Sequence, residues 1–200
     1  MINYAGMKSE ERKGAYGQLP AGPYVGIIRA TKIDGDAPDQ YLVIRLDVAE
    51  GEYKDYFKKR YEHDSSNNSK YEPKYKGDFR LRIPNPNNMK AQRPELGLAS
   101  FNDALWRIEK SNPGKVLYTE NGLDENRLKG LTVGFSMQDD SYNGNPFTRI
   151  AKLEVADDVR NGLVKKMEPR KHSGDAYDGF AQTDPQSGFT VVEDPSEIPF

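Results

Sequence analysis

Tyr24-Val25-Gly26-Ile27-Ile28-Arg29-Ala30-Thr31-Lys32-Ile33, then the polar turn Asp34-Gly35-Asp36, then Tyr41-Leu42-Val43-Ile44-Arg45-Leu46-Asp47-Val48: this stretch decides the fold class. β-branched and aromatic residues dominate both runs, and Asp and Gly between them suit a hairpin connection. In the second run Leu42, Ile44, Leu46 and Val48 recur at period two, as on one covered face of a strand. Further along, Phe79-Arg80-Leu81-Arg82-Ile83 alternates strictly, with Phe79, Leu81 and Ile83 inward, both arginines outward, and Pro84 and Pro86 ending the run. Ser100 is placed to cap a helix in which Phe101, Ala104, Leu105 and Ile108 form one apolar stripe, halted by Asn112-Pro113-Gly114. Leu131–Met137 and Pro146–Val155 read as two more strands around the hairpin signal Asn143-Gly144, and Asp157–Gly162 as a last helical turn.

The expected fold is therefore mainly β (α+β): a five-stranded OB-fold-like barrel with one helix between strands 3 and 4, followed by a disordered C-terminal tail. A small α+β domain with an open antiparallel sheet fits the same string. Residues 1–18 are polar and read as an N-terminal arm, residues 19–169 as the folded domain, 170–190 as a Gly-, Ser- and Asp-rich tether, and 191–200 as a terminal peptide.

Composition narrows the chemistry. The 200 residues contain no cysteine and two histidines, which excludes disulfides, thiolate zinc sites and cysteine nucleophiles. Phosphate-binding, nucleophile-elbow, zinc-protease and dinucleotide-binding motifs are missing. Asp34, Asp36 and Asp39, or Asp139 and Asp140, are the candidates for a nuclease metal, but both groups fall in predicted turns, where aspartate is favoured by local hydrogen bonding. The expectation is a protein with no catalytic residues, no metal and no cofactor. With no long apolar stretch and a charged beginning, a membrane span or signal peptide is not expected, and the reading is cytoplasmic.

Charge is unevenly distributed. Residues 172–200 hold six of the 31 acidic residues and no Lys or Arg, which leaves 29 basic against 25 acidic residues in residues 1–171, a net of +4. Within that body, Gly51 to Arg82 interleaves Tyr53, Tyr56, Phe57, Tyr61, Tyr71, Tyr75 and Phe79 with cations. The cations are Lys54, Lys58, Lys59 and Arg60, then Lys70, Lys74 and Lys76, then Arg80 and Arg82. Aromatic faces stack on unpaired bases for roughly 1–3 kcal/mol each, while cations follow the phosphates, so the pattern favours single-stranded over duplex DNA. Packing of several tyrosines against the domain is the competing account of the same residues. Trp106, on the apolar side of the predicted helix, reads as core or edge packing.

The sequence ends Val191-Val192-Glu193-Asp194-Pro195-Ser196-Glu197-Ile198-Pro199-Phe200, with acids beside an apolar Ile-Pro-Phe. A partner can take such a tip with a pocket for Phe200 and a basic rim for Asp194, Glu197 and the terminal carboxylate. The tip resembles that of bacterial single-stranded DNA-binding proteins, in which a linker leads to acids followed by Ile-Pro-Phe or Leu-Pro-Phe. Here Pro195-Ser196 interrupts the usual acidic run. The resemblance implies docking of replication, recombination and repair proteins through Asp194, Glu197, Ile198, Pro199 and Phe200. The body is similar, more loosely, to small phage-encoded single-stranded DNA-binding proteins of Gram-positive hosts. The segments that carry this are Leu19-Pro20-Ala21-Gly22-Pro23-Tyr24-Val25, Val48-Ala49-Glu50-Gly51-Glu52-Tyr53-Lys54-Asp55-Tyr56-Phe57 and Ile108-Glu109-Lys110-Ser111-Asn112-Pro113-Gly114. It implies coating of single strands during phage or mobile-element replication in a bacterial host, with self-association as a further possibility. The alternative is a protein-directed adaptor or inhibitor of a host DNA-processing or defence system that mimics the host tail, since Tyr and Arg also enrich protein interfaces.

Overall fold

The computed structural model describes residues 17–37, 39–67, 72–84, 94–120, 122–142 and 144–171. The chain divides into units 1–169 and 170–200. The expected arm up to residue 16, the tether beyond residue 171 and the terminal peptide lie outside the described residues.

The first two runs form β1 (Gly22–Asp34) and β2 (Tyr41–Val48), antiparallel from Gly26↔Val48 to Asp34↔Tyr41, with a register shift between Ile28 and Ala30. Gly35, at φ 87°, takes the left-handed turn conformation that a side chain would resist. After β2 come α1 (Tyr56–Asn67), β3 (Asp78–Arg82) and α2 (Pro94–Lys110). The short hairpin β4 (Tyr118–Thr119) and β5 (Gly122–Leu123) follows, then a 3₁₀ turn at Glu125–Leu128. The unit closes with β6 (Thr132–Tyr142), β7 (Asn145–Glu154) and α3 (Ala156–Arg160). β1 is long enough to serve two partners: Gly22↔Met137 to Ile27↔Thr132 pair it with β6, and from Gly26 onward it pairs with β2, so Gly26 and Ile27 serve both.

The main sheet has the order β3-β2-β1-β6-β7, and every neighbouring pair in it is antiparallel. It is not closed into the expected barrel: among the described residues no ladder joins β3 to β7. Local chemistry accounts for the opening. β3 is only five residues long, Pro146 brings no N–H to β7, and the chain before β1 lies against β7 instead. There Gln18 Nε2 donates to the Pro146 carbonyl (3.0 Å) and Thr148 Oγ1 to the Leu19 carbonyl (2.8 Å), with Leu19 itself in the core.

Three further departures from the sequence reading matter. The connection between the second and third strands holds a helix, α1, where the sequence reading placed its one main helix between strands 3 and 4. The α2 helix starts at Pro94, so Ser100 is an exposed interior residue and not its cap; proline's fixed φ suits a first helical position. The β4–β5 hairpin was not anticipated. The stripe on α2 is as expected, with Ala104, Leu105 and Ile108 buried and Phe101 packed on the core, while Trp106 is 53% exposed. Leu42, Ile44, Leu46 and Val48 of β2 join Ile28, Leu81, Val133, Phe135 and Leu153 in that core. None of the described helices is long and apolar enough to cross a membrane.

Candidate nucleic-acid interface

Asp47 explains why α1 forms. On β2 it is fully buried, and its carboxylate accepts from Phe57 N (3.0 Å) and Lys58 N (3.3 Å), two of the orphan donors of the helix start, as well as from Val48 N. Burial raises its pKa, against the lowering effect of those three N–H groups and of Arg29. The helix surface adds the i,i+4 pairs Lys58–Glu62 and Arg60–Asp64, both at 3.8 Å.

This helix sorts the aromatic residues. Tyr56 and Phe57 are 5% and 2% exposed and belong to the core, so their faces are covered. An edge-on chain of rings runs Tyr24–Tyr53 (6.0 Å), Tyr53–Tyr56 (6.5 Å) and Tyr56–Phe57 (5.2 Å), and Phe57 continues to Tyr75 and Phe135. The Tyr75 hydroxyl donates to the Leu46 carbonyl (3.0 Å) and the Tyr56 hydroxyl to that of Gly17. Burial pushes the Tyr24 phenol up to about 12 and, together with Asp47, raises that of Tyr75, so both stay protonated at neutral pH. Phe79 packs partly against the core, and Tyr61 is exposed on α1. Lys70 and Tyr71 lie outside the described residues.

The cations divide differently. On β3, Arg80 Nη2 binds Asp34 (2.7 Å) and Arg82 binds Asp39; beside them on β2, Arg45 holds Asp78 through two bonds of 2.8 and 3.0 Å. Hydrogen bonds from Lys32 and then Arg80 hold the Asp34 carboxyl below the usual aspartate range. Lys54, Lys58, Lys59, Lys74 and Lys76 are exposed, and Lys59 Nζ donates to the Lys54 carbonyl (2.8 Å).

Two hollows meet at Gln18. The smaller, about 270 Å³, lies at the start of α1 and includes Tyr53, Lys54, Tyr56 and Lys59. The larger, about 670 Å³, is the cleft between the open edges of β3 and β7. Arg60, Lys76, Phe79 and Arg80 border one side of it, and Phe147, Thr148, Arg149 and Ile150 the other. No family model and no curated protein matches the chain. The cleft thus gathers Arg60, Lys76 and Arg80 from the predicted set, and the smaller hollow gathers Tyr53, Lys54, Tyr56 and Lys59. Lys58, Tyr61, Lys74, Tyr75, Phe57 and Arg82 line neither hollow.

Sequence reasoning missed the β7 wall. Its signal was the alternation Phe147-Thr148-Arg149, an aromatic and a cation two apart on one strand face, in a run read only as a strand. Phe147 is 38% exposed. Four of the five candidate metal aspartates form ion pairs: Asp34 and Asp39 with arginines, Asp139 with Lys166 (3.4 Å) and Asp140 with Arg149 (3.7 Å). Among the described residues no cluster of three His, Asp or Glu is placed to hold a metal.

Proposed function

We propose that this chain is a single-stranded DNA-binding protein of an open OB type that recruits DNA-processing proteins through residues 191–200. One observation carries the reading: cations and aromatic rings from α1, β3 and β7 meet in a cleft between two open sheet edges. Phosphates are positioned by Arg and Lys, and splayed bases by aromatic faces, a combination that duplex DNA, with its bases stacked and paired, does not use. The strand order, with β1 shared between β2 and β6 and the β3–β7 side left open, supports the OB assignment, a fold whose face and loops hold oligonucleotides. The tail supports recruitment by its composition: six acids, no Lys or Arg, and an apolar Ile198-Pro199-Phe200. The setting proposed is phage or mobile-element DNA replication and recombination in a bacterial cytoplasm, with no catalysis by this chain.

The test is a titration of fluorescent oligo-dT with purified full-length protein at two salt concentrations, with a matched duplex as control. Binding to the single strand alone is expected, and log K falls by about 0.7 per neutralised phosphate for each unit of log salt. Absence of binding at low salt rejects the function.

A further inference from the structure

Two cationic surfaces compete for the phosphates. The first is the outer face of β1, β2 and β3, where the register sets Lys32, Val43 and Arg80 in one row and Ala30, Arg45 and Asp78 in the next. Its arginines are already satisfied: Arg45 by Asp78, Arg82 by Asp39, and Arg80, which also borders the cleft, by Asp34. Two of them also cover the rings a base would need, Arg45 lying 4.7 Å over Tyr75 and Arg80 5.1 Å over Tyr41. A phosphate arriving here exchanges one ion pair for another, and such an exchange between half-exposed groups yields little.

The second surface is the cleft between β3 and β7. Arg60 and Arg149 face it from α1 and β7, and the Nε atoms of both are shielded from solvent with no acceptor among the described residues. Each keeps one long ion pair, Arg60 with Asp64 at 3.8 Å and Arg149 with Asp140 at 3.7 Å, beyond hydrogen-bond reach of the Nε–H. Arg60 Nη1 has one weak acceptor, the Tyr56 hydroxyl at 3.4 Å. Lys76 is exposed and forms no ion pair with any described residue. Asp78 also borders the cleft, but both its oxygens are taken up by Arg45. A shielded guanidinium N–H without an acceptor is costly, and an anionic oxygen is the partner that satisfies it best. Phe79 and Phe147 add a ring on each side.

We propose that the phosphodiester backbone of the single strand runs in this cleft, clamped by Arg60 and Arg149 from opposite walls, and that the ion-paired sheet face is not its track. The inference rests on the DNA-binding function proposed above, and adds Arg149 to the site.

The test compares R60Q, R149Q and the face variant R82Q, each in the full chain, by oligo-dT titration over a salt series. Loss of about threefold to tenfold in affinity at low salt, and a salt slope shallower by about 0.7, is expected for R60Q and for R149Q. R82Q stays within about twofold of wild type. Thermal melts establish that each variant folds; where one does not, lysine acetylation of the wild-type protein decides, with Lys76 protected by saturating oligo-dT and Lys32 left reactive. Wild-type binding with a loss confined to R82Q, or with protection of Lys32 and not Lys76, overturns the cleft while leaving the function standing. Failure of the wild type to bind overturns both.

Discussion

Asp47 joins two elements through one carboxylate: it is a strand residue in β2 and the acceptor for the first turn of α1. Removing it in D47A leaves those N–H groups without a partner, at a cost of about 1–2 kcal/mol in a urea titration. Its ionisation is separable from its hydrogen bonding. Because burial raises its pKa in the folded protein, the native state binds a proton more tightly than the unfolded chain. Stability from this group is therefore greatest below the ordinary aspartate range and declines as pH rises through the raised native value. The stability of wild type relative to D47N should accordingly fall from pH 4 towards pH 7, and a rise over that interval contradicts the raised pKa. Gly77 is equally specific: a Cβ there would collide with the Leu46 carbonyl oxygen and lie 2.7 Å from the Phe57 ring. G77A should lose about 1–3 kcal/mol by overpacking at the point where β3 meets β2.

At the scale of elements, Phe57 is the residue through which α1 holds the sheet, touching Tyr56, Tyr75 and Phe135. F57A should cost about 3–5 kcal/mol in equilibrium denaturation, as expected for a buried ring. The sequence pattern made β1, β2, β3, β6 and β7 legible, because alternation in a half-covered strand is a local property; Tyr41–Val48 has the same bounds by either route. The α1 helix was hidden for a physical reason. Its run Glu62-His63-Asp64-Ser65-Ser66 lies in the last turns of the helix, where Glu62, Ser65 and Ser66 are exposed, and its start is fixed by Asp47, nine residues upstream on another element. Closure of the barrel was illegible too, since it depends on β3 and β7 meeting across more than sixty intervening residues, and no local period encodes that. Of the candidate site, the cations of α1 and β3 were readable as composition. Which of them are neutralised was not, because Asp34 and Asp39 reach Arg80 and Arg82 only after β1 and β2 fold back beside β3.

For the whole molecule the governing quantity is the split between a body of +4 and a segment of −6. Removing residues 172–200 changes the net charge of the chain from −2 to +4 and should tighten oligo-dT binding at low salt, an effect that fades as salt screens it. Equal affinity of full-length and shortened protein at low salt would show that the acidic segment exerts no such influence. The open edges of β3 and β7 carry a further consequence. Bare edges invite sheets of neighbouring molecules to fuse, most of all when many copies crowd along one strand. Here β3 spans five residues, presents Arg80 and Arg82 and is followed by Pro84, while Pro146 interrupts the N–H row at the start of β7. Such edges are poor templates for runaway strand addition, so copies crowded together at high protein concentration should remain separable and return to single molecules on dilution, as light scattering would show.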